Sequence, residues 1–412
     1  MSGITPARTC AYTVIRRVFE QGAYADRALI AEAAGLEPRE RALATRLAYG
    51  TVQRKATLDH VAAQFSSRPP ERLDPPVLAA VRLGLYQLLY LDGIAAHAAV
   101  NESVELCKRH GRGGAQLVNA VLRRAGREGR ELIAGLDDRT PEAAAVRHSV
   151  PGWLASQWFR ELGADRARAL LAAVNDPAEA AIRVNTLRAD PAAIAERLPA
   201  HPAGQDLPEG LILESAYDVH GSELFKAGLV MPQSRGSMLV ARELDPRPGE
   251  RVLDLCAAPG AKTTHLAALM AGQGSIVAVE RNPKRAEALR RTCGQMGADS
   301  VTVVAADARR PPEGPFDRVL IDPPCSGLGT LQSRPDIRWQ ASPESIAELQ
   351  RLQRELLAAG RSVLRPGGRL VYSVCTISRE ESEEVVGEAQ CRQLMPDRDG
   401  TDGFFIARLD GA

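Results

Sequence analysis

From about residue 226 onward the chain alternates short, β-branched apolar runs with helical stretches, a pattern that implies a parallel sheet covered on both faces. Candidate strands are Arg251–Leu255, Ser275–Glu280, Val301–Val304, Arg318–Ile321, Arg369–Val374 and Phe404–Leu409. Helices fill the gaps, notably Lys284–Met296 and Glu344–Ala359. In such doubly wound folds ligands sit beyond the carboxyl ends of the strands, so residues that carry chemistry should follow strands.

The first third has a different texture. Apolar residues recur at helical spacing at Val77, Val81, Leu85, Leu88 and Leu89, and again at Leu117, Val118, Val121 and Leu122. Pro69-Pro70 and Pro75-Pro76 mark loops and helix starts. No strand pattern precedes residue 180, so residues 1–140 read as an all-α domain. Residues 141–225 are mixed, with a helical segment around Trp153 and Trp158 and strand candidates at Ala181–Val184 and Leu211–Leu213. They read as a small α+β linker domain, and 226–412 as the α/β domain. At 412 residues the chain is long enough for three such parts.

No apolar run approaches the roughly 20 residues of a membrane span, and Met1–Cys10 lacks a secretion signal, so a cytoplasmic protein is expected. The seven Cys include no C-x-x-C pair and the His show no paired ligand spacing. Reduced thiols and no metal are therefore expected, in a chain that acts as a monomer. Net charge is only +1, but Lys108, Arg109, Arg112, Arg123, Arg124, Arg127 and Arg130 lie close together with Glu128 among them. Such a run can meet phosphate or simply form a solvated helix face. Arg123, Arg124 and Arg127 are the candidates for phosphate contact.

Strand Arg251–Leu255 runs into Cys256-Ala257-Ala258-Pro259-Gly260-Ala261-Lys262 and then a helix. Small residues at this turn let backbone N–H groups approach a ligand at the helix N-terminus. The turn is neither the G-x-G-x-x-G of dinucleotide enzymes nor a P-loop. Glu280 ends the next strand, where an acid can accept hydrogen bonds from ribose hydroxyls, and Asp307 follows the third, placed to meet an adenine amino group. Arg285 completes the candidate cofactor set; solvated strand-end caps are the plainer reading of the two acids.

Two cysteines also follow strands. Asp322-Pro323-Pro324-Cys325 comes after the fourth strand and Cys375 directly after the fifth. Neighbouring parallel strands lie about 4.8 Å apart, so residues just past their ends can share a pocket. A free Cys is usually an inert buried hydrophobe, the reading given to Cys10, Cys107, Cys293 and Cys391. Paired thiols suit a demanding reaction. Cytosine C5 is a poor nucleophile, but a thiolate added at C6 turns the ring into an enamine that attacks a methyl donor at C5. An acid that hydrogen-bonds N3 would assist, and a base must then remove the C5 proton. Chemistry alone does not decide which sulfur attacks.

The stretch D-L-C-A-A-P-G-A-K-T resembles the cofactor motif of the Nol1/Nop2/Sun family of RNA cytosine-5 methyltransferases. D-P-P-C resembles the family's fourth motif and Cys375 its sixth. The resemblance implies a Rossmann-like class I methyltransferase domain that binds S-adenosyl-L-methionine through Cys256–Lys262. It also implies that Cys375 attacks, Cys325 assists release, and Asp322 contacts the target base and the cofactor side. Arg183-Val184-Asn185-Thr186-Leu187, Arg334-Pro335-Asp336-Ile337-Arg338-Trp339 and Asp402-Gly403-Phe404-Phe405 resemble further family signatures. The stretch from Leu117 to Arg123 is similar to the NusB-type RNA-binding domain. The combination points to the subgroup that modifies 16S rRNA, free or in a partly assembled small subunit.

The sequence also departs from the family. Ala261 replaces a Gly, Glu280 stands where Asp is commoner, and Val374 replaces the Thr before the nucleophile. Met231–Ser237 differs from the usual Q-D-x-S-S segment. The stretch between Val386 and Asp402 is short, which calls the sixth strand and part of the cytosine pocket into question. Competing readings are an amino-methylating enzyme that uses D-P-P, a non-catalytic NusB-like RNA-binding or antitermination partner, and action on tRNA or another RNA. Aromatic residues make up only 4%, so charge and shape rather than a stacking platform should hold the RNA.

Overall fold

A computed structural model of the chain describes residues 3–110, 113–215 and 217–411. Arg112, one of the basic run, lies outside the described residues. Two compact units emerge. One ends at Asp176 and takes in Leu331–Gln340; the other comprises Pro177–Thr330 and everything from Ala341 on.

The first unit is built from helices: α1 (Pro6–Gln21), α2 (Ala25–Glu32), α3 (Pro38–Gln53), α4 (Lys55–Phe65), α5 (Pro75–Tyr90), α6 (Ala96–His110), α7 (Ala115–Ala134), α8 (Pro141–His148), α9 (Gly152–Leu162) and α10 (Ala164–Ala173). Proline begins α1, α3, α5 and α8, where its fixed φ suits the first turn and its missing N–H costs nothing. Gly22, at φ 64°, closes α1. Helix α5 packs against α1, α3, α4, α6 and α7, which explains its apolar composition: Val77, Val81, Leu85 and Leu89 are all buried. The apolar stripe of α7 buries Val118, Val121, Leu122 and Ala125.

Segment 331–340 belongs to this unit. Arg338 is fully buried. Its guanidinium donates to the carbonyls of Ser149 (3.0 Å), Val174 (3.2 Å) and Leu331 (3.2 Å) and to Asn175 Oδ1 (2.9 Å). These acceptors include carbonyls at helix ends that would otherwise lack donors. Trp339 Nε1 donates to the Val52 carbonyl (2.8 Å), and Asp336 Oδ2 accepts from the Ala25 amide (3.1 Å).

The second unit carries two sheets. Strands β1 (Ala181–Val184), β2 (Ala200–Pro202), β3 (Gly210–Leu213) and β4 (Val230–Pro232) form a small antiparallel sheet in the order β2-β3-β1-β4. The larger sheet contains β5 (Arg251–Leu255), β6 (Ser275–Val279), β7 (Val301–Val304), β8 (Phe316–Ile321), β9 (Leu364–Val374), β10 (Gln390–Leu394) and β11 (Phe404–Asp410). Its order is β10-β11-β9-β8-β5-β6-β7. The run from β7 to β9 is parallel, whereas β11 enters antiparallel to β9 and β10 pairs antiparallel to β11.

Successive residues of each core strand feed opposite layers. Val252, Ile276, Leu320 and Val371 pack on one face of the sheet; Leu253, Leu255, Val319, Ile321 and Tyr372 pack on the other. Both layers are apolar, as a doubly covered sheet requires. Strand order turns outward in both directions from the β5/β8 pair, so the ligand crevice lies beyond the carboxyl ends of those two strands.

Two expectations change. The short stretch after Val386 does hold a sixth strand, β10, because a five-residue strand and the short turn Pro396–Asp399 are enough to reach β11. Cys391, expected to be buried, is exposed on this edge strand.

Candidate active site

The turn after β5 is shaped by backbone geometry. Cys256 adopts φ 66°, and the Ala257 amide donates to the Val279 carbonyl (3.0 Å), which ties the turn to β6. Gly260 sits at φ 109° and caps α11 (Ala261–Leu269). A Cβ there would lie 2.7 Å from Leu289 Cδ1 and 3.2 Å from Thr292 Cγ2, so both conformation and space call for glycine. Thr263 Oγ1, in the first turn of α11, donates to Asp254 Oδ2 at 2.6 Å. Asp254 is fully buried, and that burial pushes its carboxyl up to about 7.

Beyond β5 to β7 lies a cavity of about 370 Å³, lined among others by Cys256, Glu280, Arg285, Asp307, Pro324 and Leu352. Four of the sequence-predicted cofactor residues therefore line one hollow. Glu280 is nearly buried; its Oε1 accepts from the Asn282 amide (2.8 Å) and its Oε2 lies 3.3 Å from Arg285. Arg285 also donates to the Ala258 carbonyl (2.8 Å), which joins the first turn to the second. Asp307 is gripped by Arg309, which holds its carboxyl down to about 2. Leu352 and Leu356 add an apolar wall that sequence reading missed, because they lie on the helix Pro343–Ser362, whose place beside the cofactor turn leaves no mark in the sequence. Ala257, Ala258, Pro259, Gly260 and Ala261 shape the turn and do not themselves line the hollow. A larger hollow of about 530 Å³, lined by Arg361, Arg365 and Arg408, opens at the start of β9, the wrong end of the strands for a ligand in this fold.

Lys262 links the cofactor turn to the loop beyond β8. Its Nζ reaches Asp322 Oδ2 at 2.8 Å, and Ser373 Oγ donates to Asp322 Oδ1 at 3.1 Å. Burial works against the lysine's charge, yet Asp322 more than offsets it, so the ammonium stays protonated above its ordinary range. Lys262 Nζ also lies 5.1 Å from the Phe404 ring centre. The carboxylate beyond β8 is thus fixed from α11 and from β9.

The two cysteines meet. Cys325 Sγ and Cys375 Sγ are 3.4 Å apart, although 50 residues separate them in sequence. Cys375 follows Val374, which pairs with Phe405 of β11, so its backbone is set by the sheet. Cys325 sits on the loop after β8. Its thiol is pushed well above its usual range, first by the hydrogen bond with Cys375 and then by burial. Behind the pair lies a polar network absent from the sequence reading: Ser326, Gln353, Thr376 and the buried Glu381.

In the first unit, Arg123, Arg124 and Arg127 are exposed on α7. Arg124 pairs with Glu128 (3.1 Å) and stacks over Phe65 at 4.9 Å, Arg127 lies 3.7 Å from Glu128, and Arg123 donates to Asn119 Oδ1 (2.9 Å).

A family profile described as 16S rRNA methyltransferase RsmB/F matches residues 241–390; profiles for the NusB family and for a RsmF/B-like ferredoxin-like domain match 5–127 and 150–220. The chain is 32% identical to a probable ribosomal RNA small subunit methyltransferase B of Bacillus subtilis, over 98% of both chains. It is 34% identical to ribosomal RNA small subunit methyltransferase B of Pseudomonas putida, again over 98% of both. Among solved structures, that of PH0851 superimposes with a TM-score of 0.82 at 27% identity and covers 99% of each chain.

Proposed function

The chain belongs to the RsmB/F family of S-adenosylmethionine-dependent 16S rRNA methyltransferases, and on that premise we propose that it methylates C5 of a cytosine in 16S rRNA through a covalent cysteine adduct. The single observation that carries this reading is the approach of Cys325 and Cys375 to 3.4 Å beside Asp322, beyond the ends of adjacent parallel strands. An amino-methylating enzyme works through a nitrogen lone pair and has no use for two apposed thiols.

The cavity suits the cofactor. Glu280 offers carboxylate oxygens to ribose hydroxyls, Asp307 can accept from an adenine amino group, and Leu352 and Leu356 supply an apolar wall for the purine. Arg285 braces the Cys256–Lys262 turn. Bound S-adenosylmethionine supplies an electrophilic methyl group.

The residues of the chain then divide the work. Cys375 Sγ adds to C6 of the unstacked cytosine, and the electron pair passes to C5. Asp322, held by Lys262 and Ser373, contacts the base edge. While Cys375 carries its own sulfur charge it helps keep Cys325 protonated. Bonding to C6 removes that influence, so Cys325 can give its proton to water and stand as the base needed at C5. Once C5 carries the methyl group, its proton passes to the Cys325 sulfur, the C–H electron pair restores the C5–C6 double bond, and the C6–Sγ bond breaks to return Cys375 as a thiolate and leave the 5-methylcytosine product. Arg123, Arg124 and Arg127 contact RNA phosphate in this reading, and the domains implied by the sequence, 1–140, 141–225 and 226–412, divide RNA binding, linkage and catalysis.

Bisulfite sequencing of rRNA from a strain lacking this gene tests the assignment. One 16S cytosine should lose protection and regain it on complementation. Unchanged protection across 16S rRNA, with loss at a tRNA position, would reassign the substrate.

A further inference from the structure

The Cys325 loop and the Cys375 strand end are joined by one buried carboxylate. Glu381 lies in a short 3-10 turn, Arg379–Glu381, and its side chain is inaccessible to solvent. Its Oε1 accepts from the Ser326 amide (2.8 Å) and from Gln353 Nε2 (3.0 Å); its Oε2 accepts from Thr376 Oγ1 (3.2 Å). Ser326 directly follows Cys325, and Thr376 directly follows Cys375. The two hydroxyls of Ser326 and Thr376 also lie 2.8 Å apart. Gln353 further donates to the Pro324 carbonyl (2.9 Å), and the Tyr372 hydroxyl donates to the Glu381 carbonyl (2.8 Å).

A buried carboxylate is costly unless its oxygens are fully engaged. Here three donors engage it, from the residue after each cysteine and from the long helix Pro343–Ser362. A purely apolar packing residue would hold the same volume without linking the two loops. We propose that Glu381 is a positioning residue of the two-thiol site, holding Cys325 in register with Cys375 so that the adduct can be released. This inference rests on the covalent reading above.

The two halves of the reaction depend on Glu381 unequally. Attack needs Cys375, whose backbone is set by pairing with β11. Release needs both sulfurs in one geometry, and Cys325 sits four residues past the end of β8, on a loop tied down at Ser326 and Pro324. Loss of the tie should therefore slow release more than attack. Gln can keep the bridge, because its oxygen can accept from Ser326 and Gln353 while its amide donates to Thr376 Oγ1. Ala cannot.

The test compares wild type, Glu381→Ala, Glu381→Gln and Thr376→Val on ordinary substrate RNA, each first checked for its melting temperature and for S-adenosylmethionine affinity. A misplacement of this kind costs on the order of 10²-fold. Glu381→Ala should lose about that much turnover, with KM falling alongside kcat because release becomes the slow step. The fraction of enzyme covalently bound to RNA in the steady state should rise. Glu381→Gln should stay within about tenfold of wild type, and Thr376→Val, which removes one donor with little change of shape, should fall between them. If Glu381→Ala does not fold, Thr376→Val carries the test alone. The proposal is overturned by wild-type turnover in a folded Glu381→Ala, by equal losses in the Gln and Ala variants, or by slower turnover with no rise in the covalent fraction. Wild-type enzyme on 5-fluorocytidine RNA serves as the control: a trapped adduct there, with an unaffected Glu381→Ala, refutes this inference alone, whereas no trapped adduct refutes the covalent reading itself.

Discussion

Asp254 is the carboxylate that most clearly departs from its solution behaviour. It is buried beneath the cofactor turn with Thr263 as its hydroxyl partner, and its carboxyl is pushed up to about 7. The native protein therefore keeps this proton where the unfolded chain, titrating near 3.8, has lost it. Stability should fall as pH rises from about 4 through about 7, by on the order of 2–4 kcal/mol. Asp254→Asn should flatten that slope, measured by urea unfolding across the same range; an identical slope in both proteins would contradict the assignment. Residues of this kind were not legible in sequence. Asp322, Cys325 and Cys375 could be found because strand ends mark them. Ser373, Gln353 and Glu381 could not, since their only signal is the partner that folding brings to them.

At the scale of elements, most core strands and the two long helices of the methyltransferase domain were readable from apolar periodicity, to within a few residues. The exceptions have physical causes. Strand β9 begins at Leu364, five residues before its apolar run, because Leu364 pairs with Phe316 across a register shift and Arg365-Pro366-Gly367-Gly368 is carried along as an irregular stretch. Strands β2 and β4 are three residues long and owe their existence to β3 and β1, so no periodicity announces them. The antiparallel entry of β11 is a property of pairing, not of composition. The turn into α11 was readable because its glycine is obligatory. Gly260→Ala, forced to φ 109° against Leu289, should cost about 1–3 kcal/mol and weaken S-adenosylmethionine binding. Thermal melting with and without cofactor checks this, and wild-type values for both would count against the steric account.

At the scale of the whole molecule, the chain passes between its two units three times, after Asp176, Thr330 and Gln340. Sequence order alone suggested helical, linker and catalytic parts in series. It gave no sign that a segment just downstream of Cys325 is housed among the helices, because burial of Arg338 against carbonyls leaves no apolar pattern. A fragment starting at Pro177 should consequently expose that segment and melt lower than the full chain or aggregate; cooperative melting at the full-length temperature would contradict this. Charge reversal at Arg123, Arg124 and Arg127 should weaken RNA binding and reduce its salt slope by about one for each phosphate no longer neutralised. An unchanged slope would remove those residues from the interface. The central claim is that a sulfur at the end of β9 bonds to the target base, and denaturing electrophoresis on RNA carrying 5-fluorocytidine tests it most directly. Wild type and Cys325→Ala should each give a slow-migrating protein–RNA band, Cys325→Ala on unmodified RNA as well, while Cys375→Ser should give none yet still bind S-adenosylmethionine. A band of undiminished intensity from Cys375→Ser would contradict the account.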